Sequence, residues 1–255
     1  MKRKSPFVAL VLVLWTAMAV RPALAADIKA ETVTFQTAQR PVSAQRFAAP
    51  GQGKRPAVIL LHGRQGIEPL AGLYQNRARA VARAGMDAYL FPYYDDADLP
   101  RATSPDPAVR QSLFRERAAS WSLLVRDVVG DILADPRSSG AVGLVGFSQG
   151  GFLAAGVAGA DARLAALVVY YGGIPSALKD AITHLPPLLE LHGDADGVVP
   201  LAEGRALVDL ARQLGQPAEM TVFPGAGHGF AGADAQKAED LTVAFLRRRL
   251  FKSPD

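Results

Sequence analysis

Two hydrophobic patterns alternate along the chain. Short continuous apolar runs such as "PAVILLHG" (56–63), "VGLVGF" (142–147) and "LAALVVYY" (164–171) predict strands whose two faces are both buried. Between the runs lie longer segments whose apolar residues recur at helical spacing, and these are 70–85, 110–136, 201–215 and 234–250. Strands alternating with helices predict an α/β fold with a mostly parallel central sheet covered by helices on both faces.

Two other stretches depart from this alternation. "ETVTFQT" (31–37) and "SAQRFAA" (43–49) alternate polar and apolar residues, which predicts an antiparallel pair at the start of the sheet. "DDADLPRATSPDPAVR" (95–110) contains three prolines, so we expect an irregular excursion there. A long loop in a compact domain commonly serves function or is disordered, and whether this one closes over a site as a lid is left open by the sequence.

The first 25 residues have the pattern of a secretory signal peptide. Lys2, Arg3 and Lys4 precede an apolar run, and Ala23-Leu24-Ala25 follows it, which predicts cleavage before Ala26. The run is too short to span a bilayer comfortably, so no stable membrane anchor is expected after cleavage. The sequence thus predicts an exported protein, periplasmic or secreted, with a single domain over 26–255.

Charge and composition exclude several classes of function. The signal segment holds four of the 28 basic residues, which leaves 24 to face 24 acidic ones, so the electrostatic footprint of a nucleic-acid-binding protein is missing. There is no cysteine, hence no thiol nucleophile and no cysteine metal site. The spacing of the histidines and carboxylates predicts no metal, and we expect no cofactor.

The stretch Gly146-Phe147-Ser148-Gln149-Gly150 joins a predicted strand to a predicted helix. At a nucleophile elbow, a sharp turn lifts a serine above the sheet, and the flanking positions must be small because backbone and helix come close. Asp194 and Asp196 follow the strand "PLLELHG", and His228 follows "AEMTVF". The order Ser, Asp, His, each after its own strand, is that of an α/β-hydrolase triad.

The remaining parts of an acyl-transfer site can also be assigned from the sequence. The oxyanion hole needs two backbone N–H groups, and we expect them from Gln149, after the serine, and from Arg64 in "HGRQG". Tyr93 and Tyr94 follow a predicted strand toward the same edge and are expected either to line a substrate pocket or to pack at the edge of the sheet. His62 and His192 are expected to hydrogen-bond neighbouring loops.

The motifs "LLHGRQG", "GFSQGG", "LHGDADGVVP" and "PGAGHGF" together resemble the dienelactone hydrolase family of α/β-hydrolases, from about residue 54 to 250. The resemblance implies an α/β-hydrolase catalytic domain with nucleophile Ser148, acid Asp196 and base His228. Founding members have a cysteine at the nucleophile position, a glutamate where this chain has Gly63, and an arginine where it has Gly232. The resemblance therefore implies the fold and hydrolysis, and not the substrate of the founding members.

The expected function is hydrolysis of a small-molecule carboxylic ester or lactone through an acyl-enzyme intermediate. "GFSQGG" also resembles acyl-protein thioesterases, so a thioesterase or an acyl-peptide hydrolase is an alternative. A non-catalytic binding protein that keeps the fold is an alternative from another class.

Overall fold

The computed structural model describes residues 28–251, so the predicted signal peptide, its cleavage site and residues 252–255 lie outside the described residues. The sequence forms one sheet of eight strands in the spatial order β1-β2-β4-β3-β5-β6-β7-β8. Pairing is antiparallel for β1 with β2 and β2 with β4, and parallel elsewhere. The strands are β1 Ala30–Gln36, β2 Pro41–Phe47, β3 Arg55–Leu61, β4 Asp87–Phe91, β5 Ser138–Phe147, β6 Leu164–Tyr170, β7 Leu188–Gly193 and β8 Ala218–Phe223.

Helices cover both faces of the sheet. They are α1 Ala71–Arg83, α2 Asp98–Ala102, α3 Pro107–Ala134, α4 Gln149–Ala160, α5 Leu201–Gln213 and α6 Gly232–Leu250. Side chains of α1 and α6 belong to one apolar cluster, and side chains of α2 to α5 belong to the other. Strand β3 shows why its sequence is apolar throughout: Val58 and Leu60 join the first cluster, and Ile59 and Leu61 the second. The predicted fold class is confirmed.

Segment 95–110 is more regular than its prolines suggested. It contains α2 and the start of α3, because Asp106 accepts a hydrogen bond from the Ala108 N–H and Pro107 occupies the first helical turn, where its missing N–H costs nothing. The buried carboxylate of Asp98 accepts bonds from Trp121 Nε1 and Arg117 Nε, each 2.9 Å long. The expectation of an irregular excursion is therefore wrong over most of this segment.

Candidate active site

The chain makes a strained turn where β5 becomes α4. Ser148, between them, has φ 52° and ψ −118°, a region that costs about 1–3 kcal/mol for a residue with a Cβ. A Cβ at Gly146 would lie 2.2 Å from the Gly150 carbonyl oxygen, and a Cβ at Gly150 would lie 2.3 Å from the Leu61 oxygen. Only glycine fits at both positions, so the two glycines permit the turn that exposes the serine hydroxyl.

A continuous chain of hydrogen bonds joins the three residues of the expected triad. His228 Nε2 lies 2.9 Å from Ser148 Oγ, and His228 Nδ1 lies 2.8 Å from Asp196 Oδ2. An ionised carboxylate can only accept, so Nδ1 carries the proton and Nε2 presents its lone pair to the serine hydroxyl. The structure thus brings His228 together with Asp196, 32 positions earlier in the chain, and with Ser148, 80 positions earlier.

The two aspartates of the loop after β7 have different partners. Asp196 has a fully buried side chain, and its Oδ1 accepts from the N–H groups of Val198 and Val199 at 2.8 and 2.9 Å. Burial alone would raise the pKa of Asp196, but the bonds from Val199, His228 and Val198 outweigh it and lower that pKa. Asp194 instead accepts a hydrogen bond from the Gly225 N–H at 2.6 Å, which links the loop after β7 to the loop after β8. Of the two aspartates, it is Asp196 that bonds to His228.

The two backbone N–H groups expected to hold an oxyanion belong to residues close to Ser148 in the chain or in space. Gln149 is the first residue of α4, so its N–H precedes the first intrahelical hydrogen bond. Arg64 lies in a turn closed by the bond from Gly66 N to Gly63 O, 3.1 Å long, which does not engage the Arg64 N–H. A Cβ at Gly63 would lie 3.7 Å from Ser148 Cβ, so this turn passes directly beside the serine.

Of the two tyrosines expected to line the substrate pocket, Tyr94 lines a cavity beside His62, and neither lines the cleft at Ser148. Tyr93 is 0% exposed, stacks on His62 at 4.1 Å between ring centroids, and donates a hydrogen bond to the His62 oxygen. Tyr94 is also buried and directs its hydroxyl to Arg64 and Gln149. Both rings pack against Trp121 of α3, and this packing, which period and spacing do not reveal, turns them inward.

A cleft of about 530 Å³ opens in front of Ser148. Its walls come from the start of α3, the start of α4 and the loops around 174–176 and 198–203. The wall is partly apolar and partly cationic, with Phe114, Phe152, Ile174, Val198, Arg64, Arg110 and Arg115. Such a mixed wall suits a small organic substrate better than a long polymer.

A second carboxylate–histidine pair lies behind the triad acid. Glu190 and His192 of β7 are both completely buried, with 2.9 Å between Glu190 Oε1 and His192 Nδ1. His192 Nε2 lies 2.9 Å from the Val199 carbonyl oxygen and 3.6 Å from Asp196 Oδ2. Glu190 was not among the predicted site residues, although a single acid inside the apolar run "PLLELHG" is a recognisable signal.

Tyr171 and His62 also influence the site without having been assigned to it. Tyr171 packs its ring 4.7 Å from that of His228. Burial lowers the pKa of His62 to about 4, against the opposing effect of its bond to the Gly63 oxygen, so His62 is neutral at pH 7. Within residues 28–251 no three histidine, aspartate or glutamate side chains are grouped to hold a metal ion.

A family model, the dienelactone hydrolase family, matches residues 44–246. This chain belongs to the dienelactone hydrolase family. The match spans the elbow, the acid loop and the histidine loop, and it makes the protein a hydrolase of small molecules. The resemblance inferred from the four motifs is thereby confirmed.

Solved structures share the fold of this dienelactone hydrolase family member. A dienelactone hydrolase from Anabaena variabilis superposes with a TM-score of 0.70 at 18% identity, covering 88% of this chain and 99% of the other. Esterase PE8 gives 0.66 at 26% identity, with 82% and 99% covered. An acylaminoacyl peptidase from Pyrococcus horikoshii gives 0.69 at 14% identity, and there the match covers 89% of this chain but 42% of the peptidase.

Proposed function

We propose that the protein is a serine hydrolase that cleaves carboxylic esters or lactones through an acyl-enzyme intermediate on Ser148. The observation that carries this proposal is the unbroken series of contacts from Ser148 Oγ through His228 to the buried Asp196. A serine hydroxyl is a weak nucleophile unless an adjacent base removes its proton, and the base needs an orienting acid. The nucleophile, the base and the acid are therefore all present at the site, beside an open cleft.

The chemistry follows in two halves. As Ser148 Oγ attacks the carbonyl carbon, His228 Nε2 takes the hydroxyl proton, and Asp196 stabilises the resulting imidazolium. The Arg64 and Gln149 N–H groups donate to the negatively charged carbonyl oxygen. Collapse of this tetrahedral species breaks the bond to the alcohol, which leaves with the proton from His228. A water molecule then attacks the acyl group with the same histidine as base, releasing the acid and free serine.

The test is hydrolysis of p-nitrophenyl esters of increasing acyl length by the protein that begins at Ala26. We expect activity on short acyl chains and a loss of about 10³-fold or more in Ser148→Ala. Ser176 lines the same cleft, so Ser176→Ala is the matched control and is expected to keep activity within a few-fold. Substantial activity in Ser148→Ala would overturn the acyl-enzyme mechanism.

The same assay separates the neighbouring activities. Thioester and N-acyl-peptide substrates pass through the same acyl-enzyme chemistry, so they belong beside the oxygen esters. We expect oxygen esters or lactones to have the higher kcat/KM. A preference for an acyl-thioester or an N-acylated peptide would move the protein to the alternative hydrolase class, and no turnover of any of these substrates would favour a binding protein.

We also propose that the protein is exported and that its mature chain begins at Ala26. The support is the sequence alone: Lys2, Arg3 and Lys4, the apolar run and the Ala23-Leu24-Ala25 site. No helix within residues 28–251 is long and apolar enough to cross a membrane. Mass spectrometry of the protein from an exported fraction should find a chain starting at Ala26, and a chain in that fraction starting at Met1 would reject cleavage.

A further inference from the structure

Three tyrosine hydroxyls bind three successive residues of the loop after β3. Tyr93 donates to the His62 carbonyl oxygen at 3.0 Å, and the Gly63 N–H donates to the Tyr74 hydroxyl at 2.9 Å. Tyr94 donates to the carbonyl oxygen of Arg64 at 3.3 Å. Each of residues 62 to 64 is thus held by a tyrosine side chain from another part of the chain. These bonds come in addition to the Gly66 N to Gly63 O bond that closes the turn.

The Tyr94 hydroxyl makes a further contact, to the start of α4. Gln149 Nε2 donates to it at 2.6 Å. One hydroxyl therefore bonds to Arg64, from the loop after β3, and to Gln149, from the start of α4. These are the two residues whose N–H groups form the proposed oxyanion hole, and they come from chain segments 85 positions apart.

Tyr94 itself is held rigidly. Its ring lies 4.8 Å from His62, 4.7 Å from Tyr93 and 5.1 Å from Trp121 between centroids. Burial raises the pKa of Tyr94, so the hydroxyl stays protonated and remains a donor over the whole working pH range. A side chain held in this way can set the distance between the two segments to which it bonds.

We propose that Tyr94 is a positioning residue of the oxyanion hole, which fixes the spacing of the Arg64 and Gln149 N–H groups through its single hydroxyl. The proposal rests on the acyl-enzyme function proposed above. Donors stabilise an oxyanion only when they stand about 2.7–3.1 Å from it before the reaction. A small displacement of either donor therefore costs transition-state binding while leaving substrate binding nearly unchanged.

The experiment is Tyr94→Phe, which keeps the ring and removes both hydrogen bonds. Loss of one whole oxyanion donor costs about 10²–10³ in kcat, so loosening two is expected to lower kcat about 10-fold with KM within two-fold. Affinity for an alkyl boronic acid, whose tetrahedral adduct on Ser148 places an oxygen in the hole, should fall by the same factor. Tyr89→Phe is the matched control, since Tyr89 is a buried tyrosine of β4 whose ring packs on Phe35.

A second variant covers the case in which Tyr94→Phe folds poorly. Gln149→Met keeps the N–H of residue 149 and removes only its side-chain donor, so we expect a smaller loss of kcat and of boronate affinity. The double variant should lose less than the product of the two single losses, because both act through one hydroxyl. Conditions that merely raise the thermal midpoint are not expected to restore kcat or the boronate affinity.

The outcomes separate this proposal from the function on which it rests. If wild-type activity depends on Ser148 and both variants keep wild-type kcat and boronate affinity, Tyr94 has no positioning role and the hydrolase proposal stands. A lower thermal midpoint with unchanged kcat and boronate affinity likewise overturns the positioning role. If Ser148→Ala keeps the activity, both proposals fail together.

Discussion

The protein contains two carboxylate–histidine pairs of nearly equal length, a few ångströms apart. Asp196 Oδ2 and His228 Nδ1 are 2.8 Å apart, and Glu190 Oε1 and His192 Nδ1 are 2.9 Å apart. The side chain of His228 is 22% exposed, whereas both members of the other pair are completely buried. The open pair contacts Ser148, which lines the cleft, and the closed pair contacts the loop that carries the triad acid.

The second nitrogen of each histidine explains why the open pair is suited to catalysis and the closed pair to structure. His228 Nε2 faces the Ser148 hydroxyl, which can donate, so an Nε2 lone pair is placed to take the hydroxyl proton. His192 Nε2 faces the Val199 carbonyl oxygen, which can only accept. His192 must therefore donate from Nε2, and its Nδ1 shares a proton with Glu190.

The closed pair consequently holds one proton at neutral pH, whichever partner carries it. Burial raises the pKa of Glu190 to about 7, against the opposing effect of His192, and the bonds from His192 to Glu190 and Val199 raise its own pKa despite burial. Both directions describe the same shared proton. A base already engaged in this way cannot serve the nucleophile, which leaves that role to His228.

The largest effect is expected from His228→Ala, which removes the open pair. We expect kcat/KM on a short ester to fall about 10³-fold or more, because the serine loses its base. The thermal midpoint should change by only a few degrees, since the His228 side chain is partly exposed and the Asp196 carboxylate keeps its bonds from Val198 and Val199. Steady-state kinetics and a melting curve on the same preparation check the loss of kcat/KM and the small change in thermal midpoint.

His192→Leu is expected to do the opposite of His228→Ala: it should lower stability far more than activity. It leaves the Glu190 carboxylate buried without its partner, which costs about 3–5 kcal/mol of the free energy of unfolding. Replacing both residues, as Glu190→Leu with His192→Leu, should recover much of that loss, because a buried pair exchanged for apolar side chains is often close to neutral. Urea unfolding of the two variants measures the difference, and a double variant no more stable than His192→Leu would contradict the pairing.

The shared proton predicts how stability depends on pH. Above the unfolded histidine pKa of about 6.5, the unfolded chain has released a proton that the folded pair keeps, so stability falls as pH rises. One such proton corresponds to at most about 1.4 kcal/mol per pH unit, and the loss ends once the folded pair also releases its proton. Wild-type stability relative to the Leu/Leu variant should therefore decline between pH 6.5 and 8, and a parallel pH dependence would rule out a retained proton.

The smallest effect is expected from Asp194→Asn. The asparagine oxygen can still accept from the Gly225 N–H, so kcat should stay within two-fold and stability within about 1 kcal/mol. Asp196→Asn is the matched comparison and should lower kcat by orders of magnitude, because an amide can favour the wrong imidazole tautomer. If Asp194→Asn were the inactive enzyme, the assignment of the acid would be wrong by two residues.

Local chemistry explains which features could be predicted from the sequence. The strands and the elbow glycines depend on residue type and spacing within a few positions, whereas the choice of Asp196 over Asp194 followed from the family resemblance. Tyr93 and Tyr94 could not be oriented from the sequence because Trp121, on α3, decides which way they face. Glu190 was visible as an acid in an apolar run, and the strand period places His192 on the same face, but the complete burial of the pair follows only from the packing around β7.

The central claim is that Ser148, activated by the open pair, is the nucleophile. Its most direct measurement is labelling by a fluorophosphonate probe, followed by intact-mass and peptide analysis of wild type, His228→Ala and Ser148→Ala. We expect one adduct per wild-type chain on Ser148, labelling at least about 10²-fold slower in His228→Ala, and none in Ser148→Ala. An unlabelled wild type, or an adduct on any other residue, would contradict the claim.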